Sequence, residues 1–236
     1  PSSNRRQRQM CIRDSTEPSL LITIDGPAGA GKTTVSKMLA RKMEYRYLDT
    51  GALYRAVAYE ARESGVAADD DAGLERLCAA IRLRIEGNRL LSNGVDISGL
   101  IRSPEITMLA SAVSARPVVR KALLDIQREI GQAGGLVAEG RDMGTVVFPH
   151  ADHKFFLDAT AHQRARRRFD QYGADSPQSL EQIERDIRRR DENDSTRDVA
   201  PLKPAADAVI IDSTIMTAEE VVNQMLEAIR SHDGVC

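Results

Sequence analysis

Three glycines, a lysine and two hydroxyls are the residues of this chain best spaced to do chemistry: Gly26-Pro27-Ala28-Gly29-Ala30-Gly31-Lys32-Thr33-Thr34. They fill every fixed position of G-x-x-x-x-G-K-[ST], a loop whose backbone amides cradle phosphate oxygens. Glycines let the chain approach an anion closely. The amides then converge as a nest at the positive end of a helix dipole. Lys32 brings a mobile charge for β- and γ-phosphates, and the Thr33 hydroxyl suits Mg²⁺. A glycine turn can also do no more than join two elements, so context decides. Leu20 to Asp25 is a short apolar, β-branched run, the pattern of a strand buried on both faces. Val35, Met38, Leu39 and Met43 follow at helical spacing. Strand, loop, lysine, hydroxyl and helix agree, so residues 26–34 are expected to bind a nucleoside triphosphate.

Arginine is the second chemical signal. Of the 33 basic residues, 27 are arginine, while the net charge is −2. That balance argues against a general nucleic-acid binder. A GC-rich genome would give the arginine bias with no function attached, whereas planar guanidinium forks suit phosphate oxygens. Placement separates the two readings. Between Gln163 and Arg197 stand nine arginines (Arg164, Arg166, Arg167, Arg168, Arg185, Arg188, Arg189, Arg190 and Arg197) and no lysine. Asp170, Glu184 and Asp186 are interleaved, so salt bridges on two surface helices account for about half of them. The others could clamp transferring phosphates, with the turn-rich Tyr172–Pro177 stretch as a hinge.

The elements that must position these groups alternate strand and helix. Tyr45 to Leu48 reads as a second strand, ending at Asp49-Thr50-Gly51 before a helix marked by Leu53, Val57 and Ala61. Thr50 there is either a plain N-cap or a ligand group, and Arg55 sits near a strand end, where α/β sheets bind ligands. Asp69-Asp70-Asp71 opens another helix. Short β-type runs then break at Gly87-Asn88 and Asn93-Gly94, a hairpin signal that predicts a small antiparallel insert. Two helices flank Pro117, with Ser111 and Arg120 off the apolar stripe, where most such residues are solvated. Leu136–Thr145 is a strand ending in glycines and charges, and strands are also expected at 153–158 and 207–214. His150 and His153 lack a third ligand, so no metal site is expected there.

Composition sets the outer bounds. With 236 residues, 42% hydrophobic and 29% charged, the chain is an ordinary globular protein with ample core. No apolar run approaches the roughly 20 residues of a membrane span. Cys11, Cys78 and Cys236 lack metal-ligand spacing, and a reducing, cytoplasmic setting is expected. Residues 1–17 are polar and aperiodic; they are expected to be a disordered extension, either an artefact resembling a translated adapter tag or a basic interaction arm.

Taken together these residues resemble the bacterial cytidylate (CMP/dCMP) kinases, within the nucleoside-monophosphate kinases. The resemblance runs from about Leu20 to Arg230 and rests on LDTGALYR (48–55), AEGRDMGTVVFP (138–149) and RRRDENDSTRDVAPLKPAADAVIIDST (188–214). It implies an α/β P-loop kinase at 18–236 with a five-stranded parallel core flanked by helices. A monophosphate-binding part at about 52–125, carrying the β insert, and a short helical lid at about 162–175 complete it. The implied reaction is Mg²⁺-assisted transfer of the γ-phosphate of ATP to CMP or dCMP, by a monomer that binds neither nucleic-acid polymer nor membrane. The resemblance assigns ATP to residues 26–34, Mg²⁺ to Thr33, and the acceptor phosphate to Arg55, Arg141 and Arg197. It sets Thr50, Ser111, Arg120 and Asp142 around the cytosine, and Arg190 and Asp194 at the sugar. Lys32, Arg141, Arg164 and Arg168 are the implied catalytic cations. Many members carry Gly or Ser where this chain has Thr33, and Ser where it has Thr50. A kinase of UMP, AMP or shikimate is one alternative, against which GRDMGT and RDVAPL speak; a regulatory ATPase is the other.

Overall fold

The computed structural model describes residues 19–87, 89–173 and 178–233. The extension at 1–17, most of the expected hinge tip, Cys11 and Cys236 lie outside them. The five core strands are β1 (Leu21–Asp25), β2 (Arg46–Asp49), β6 (Leu136–Gly140), β7 (His153–Asp158) and β8 (Val209–Asp212), all parallel, in the order β2-β6-β1-β7-β8. β1 is central because it is buried on both faces: Ile22 and Ile24 are fully buried on one side and Thr23 on the other. Its register sets Asp25 beside Gly140 of β6 and Phe156 of β7. The loop after β1 therefore opens where neighbouring connections diverge to opposite sides, the switch point at which such sheets bind ligands.

Two apolar layers cover the sheet. Helices α1 (Lys32–Met43) and α8 (Ala218–Asp233) close one face through Val35, Leu39, Val222, Met225 and Ile229. The other face is covered by α2 (Thr50–Glu63), α3 (Asp71–Ala80), α4 (Pro104–Ser114) and α5 (Pro117–Gly131), centred on Leu53, Val57, Leu74, Ile106 and Leu123. The expected insert is a three-stranded antiparallel sheet, β3 (Leu83–Glu86), β4 (Arg89–Ser92) and β5 (Val95–Asp96). Its second turn holds Asn93 and Gly94 both at positive φ, the conformation that an Asn-Gly hairpin favours. Leu90 and Ile97 from the insert join the same apolar cluster as α2 and α5.

Two local findings differ from the sequence reading. The cap of α2 is Asp49, whose carboxylate accepts from the Ala52 amide at 3.0 Å; Thr50 is already inside the helix. After β6 the chain makes a wide helical turn, Met143–Val147, where no helix is expected from periodicity. Helices α6 (Ala161–Tyr172) and α7 (Leu180–Thr196) pack together through Ala165, Ile183 and Ile187. α7 starts with a capping box between Ser179 and Gln182.

Candidate active site

The glycine loop bends as its sequence demands. Gly26 sits at φ 148°, and a Cβ there would stand 2.0 Å from the Leu157 carbonyl oxygen, so only glycine lets the loop lie against β7. Gly31, at φ 94°, turns the chain into α1. Lys32 is buried, and its Nζ donates to the carbonyls of Gly26 and Pro27, both at 2.7 Å. Burial, with the Arg141 guanidinium nearby, lowers its proton affinity well below that of an ordinary lysine. A bound polyanion would reverse that balance.

Beside the loop, Glu139 of β6 gathers hydroxyls. Thr33 Oγ1 donates to Glu139 Oε1 at 2.8 Å, and the Tyr47 hydroxyl donates to the same oxygen. Oε2 of Glu139 is buried and has no hydrogen-bond partner. Burial and the nearby Asp49 raise the Glu139 pKa, while Lys32 opposes them. A hard divalent cation fits this corner, since a hydroxyl and an unpaired carboxylate oxygen are the ligands Mg²⁺ takes alongside phosphates and water. Among the described residues no cluster of three or more His, Cys, Asp or Glu could hold a metal alone.

The second half of the site is a cavity of about 240 Å³ next to the loop. Lys32, Arg55, Arg102, Arg120, Arg141, Arg168, Arg190 and Arg197 line it, against Asp49, Glu139, Asp142 and Asp194. Each acid holds a guanidinium or a hydroxyl in place. Asp49 pairs with Arg55 at 2.9 Å, Asp194 takes Arg141 Nε at 3.0 Å, and Asp142 takes Arg120. Arg197 lies 3.8 Å from Asp142 and 3.9 Å from Asp194. Arg120 also crosses the Tyr54 ring at 5.6 Å. Burial, together with Arg141, brings Arg190 down to about 10. Burial would raise Asp194, but Arg141 and Arg190 outweigh it and hold the carboxyl low. With eight cations to four acids, the cavity suits a ligand carrying several negative charges.

Most residues singled out around the acceptor meet here, whereas Ser111 and Arg164 do not. Arg120, whose place off the apolar stripe alone would suggest solvent but which the resemblance sets at the cytosine, is buried in the cavity, where Asp142 and the Ser114 carbonyl accept from it. Ser111 opens onto a neighbouring cavity between α4 and α7, and Ser114 lines the arginine cavity instead. Arg164 is buried beneath the glycine loop: it donates to the carbonyls of Ala159 and Ala28 and pairs with Asp191 at 2.7 Å. Thr50 lines the cavity while its hydroxyl donates to the Glu139 carbonyl at 2.6 Å. Residues 29–34, Arg167, Arg168 and Ser213 line a separate groove toward α8. Sequence reasoning missed Asp25, Tyr47, Asp49, Arg102 and Glu139 as parts of the site. Three of them are acids at carboxyl ends of parallel strands, a position that could have flagged them.

A doubly covered parallel sheet with a phosphate-binding loop at its switch point, facing an arginine-lined second cavity, defines a P-loop kinase. Shikimate kinase from Bacteroides thetaiotaomicron shares the fold, at TM-score 0.50 and 16% identity over 89% of this chain and 97% of that one. So does a gluconokinase from Sinorhizobium meliloti, at TM-score 0.50 and 13% identity over 90% and 93%. The Cytidylate kinase family model matches residues 22–231. Cytidylate kinase of Syntrophotalea carbinolica is 47% identical over 222 residues, 92% of this chain and 94% of that protein. The cytidylate kinase of Geobacter sp. strain M21 is 48% identical over 219 residues, 91% and 94%. The chain belongs to the cytidylate kinase family.

Proposed function

We propose that the loop and the arginine cavity are the two halves of one active site, in which this chain performs the reaction of its family, transfer of the γ-phosphate of ATP to CMP or dCMP. The observation that carries this reading is the cavity's eight cationic groups set directly beside the phosphate loop. A nucleoside monophosphate has a second phosphate pKa near ~6, so its attacking oxygen is already anionic at neutral pH and needs no general base. What remains is to bring two polyanions into line and neutralise them.

The loop amides and Lys32 take the donor phosphates, Lys32 leaving its two carbonyl partners for phosphate oxygens. Thr33 Oγ1 and Glu139 Oε2 would hold Mg²⁺, which when bound supplies charge neutralisation between the phosphoryl oxygens. Arg55, Arg141 and Arg197 grip the acceptor phosphate, each already aimed by an acid. Asp142, anchored by Arg120, offers acceptor oxygens to the amino group of cytosine, with Thr50 and Ser114 toward the ring, while Ser111, facing the neighbouring cavity, is given no part in this pairing. Arg190 and Asp194 meet the sugar. Arg168 is the lid arginine on the cavity wall and closes over the transferring group, while Arg164 bolts the lid to the loop. We propose a monomer as the working unit and a cytoplasmic setting; among the described residues no helix is long and apolar enough to cross a membrane.

The test is steady-state turnover with ATP·Mg²⁺ against CMP, dCMP, UMP, AMP and shikimate. CMP and dCMP should have the highest kcat/KM. A better rate with any other acceptor, or ATP hydrolysis without transfer, overturns the assignment.

A further inference from the structure

Asp25, the last residue of β1, is used by nothing in the mechanism above, yet it is one of the most enclosed carboxylates in the molecule, 3% exposed. A charge in that position costs free energy unless it is paired or hydrogen-bonded. Its partners are two backbone amides: Oδ1 accepts from Met143 at 2.8 Å and Oδ2 from Gly144 at 2.8 Å. Those amides begin the wide turn after Gly140-Arg141-Asp142. The residue following Asp25 is Gly26, the first of the phosphate loop. One side chain thus ties the root of the donor loop to the segment that carries Arg141 and Asp142.

The rest of that junction is equally tight. A Cβ on Gly144 would meet Thr23 Oγ1 at 3.1 Å and Lys154 Cδ at 3.2 Å, so the turn is pressed against β1 and β7. The charged groups facing Asp25 are Asp142, which opposes its ionisation, and Lys32, which favours it. Burial is the largest influence and raises its pKa to about 6. A carboxylate enclosed at such cost, at the root of the phosphate loop, points to a task other than stability.

We infer that Asp25 is a positioning residue: its carboxylate sets the loop bearing Arg141 and Asp142 against the donor loop, so that occupancy of one substrate site fixes the geometry of the other. The inference rests on the roles proposed above for Arg141 and Asp142. Two-point acceptance matters here. A carboxylate presents an oxygen to each amide, whereas an amide side chain presents one oxygen and one N–H, and the N–H meets another donor.

Asp25→Asn keeps the shape and removes this symmetry. With CMP as acceptor the variant should raise KM about tenfold and lower the CMP-over-UMP ratio of kcat/KM about tenfold, the effect of one misplaced buried hydrogen bond. KM for ATP should stay within about threefold. A merely structural aspartate would lower the amount of folded enzyme and leave the ratio alone. Should the variant fail to fold, wild-type amide exchange decides: saturating AMPPNP·Mg²⁺ alone should slow exchange at Met143 and Gly144. A preserved ratio in folded Asp25→Asn, or unchanged exchange at both amides, overturns the inference. Wild-type enzyme with no preference for CMP over UMP would instead overturn the proposed function, so the two failures read differently.

Discussion

In the proposed function the donor loop and the acceptor cavity bind the same chemical group by opposite means. The loop, residues 26–34, uses backbone: glycines, amides and one lysine, contiguous in sequence. The cavity uses side chains drawn from β2, α2, α4, α5, α6, α7 and the segment after β6, with Asp49 and Arg197 lying 148 positions apart. A backbone site is fixed by the fold itself and needs no partners to aim it. A side-chain site must be aimed, and here Arg55, Arg120, Arg141 and Arg197 are each aimed by an acid. The difference teaches where tolerance lies: the loop fails through its conformation, the cavity through its pairing.

The comparison breaks most sharply at Lys32, the loop's single side-chain charge. Lys32→Ala should cut kcat by about 10²–10³-fold while the amide nest still binds ATP, measured by single-turnover rate and by titration with ATP·Mg²⁺. Loss of ATP binding in parallel with rate would mean that the loop, too, depends on side chains. Arg164→Ala leaves Asp191 without its buried partner and should cost about 3 kcal/mol of stability by denaturant melts, because the tie between α6, α7 and the glycine loop is lost.

Asp25 allows a pH test of the junction between the two halves. Its folded pKa, about 6, lies above the ordinary 3.8, so its contribution to stability is full below pH 3.8 and is lost as pH rises through 6. At pH 7.5 the ionised group costs about 3 kcal/mol relative to the protonated one, at roughly 1.4 kcal/mol per unit. Stability of Asp25→Asn relative to wild type should therefore improve from pH 4 to pH 7.5; a difference that is flat with pH would remove the buried charge from the account.

Two smaller effects sharpen the aiming argument. Asp142→Ala should lose about 1–3 kcal/mol of preference for CMP over UMP, the size of an unmade buried hydrogen bond. Equal losses for both acceptors would confine Asp142 to holding Arg120. Arg188→Ala on the outer face of α7, whose side chain is 64% exposed beside Glu184, should change stability and turnover by less than about 0.5 kcal/mol. A larger effect would place the outer arginines in the clamp as well.

What could be read from the sequence follows the same division. The phosphate loop, the five core strands and the Asn-Gly hairpin rest on local signals, a motif or a periodicity, and all appear where the residues predict. Placement across the chain was less legible. Arg120 looks solvated by helical spacing, and only its pairing with Asp142, 22 residues later, explains its burial. Arg164 is indistinguishable from Arg168 in the arginine run of α6; which faces the loop and which the cavity is set by how α6 docks on Ala28 and Gly29. Tyr47 reads as an ordinary strand aromatic until Glu139 lies beside it. The wide turn at 143–147 has no periodicity to betray it, because the Asp25 carboxylate holds it from outside.

The small β sheet between α3 and α4 bears on how such enzymes can be remodelled. Leu90, Ile97 and Ile101 are almost wholly buried in the apolar layer that also contains Leu53, Leu74 and Leu123. Cutting this segment out would leave a greasy hollow over α2 and α5, and pasting it onto another kinase would leave its own underside bare. Variation in this region is therefore expected to proceed by changes in the hairpin tips, where Gly87 and Gly94 have open space around them, and not by exchange of the whole piece.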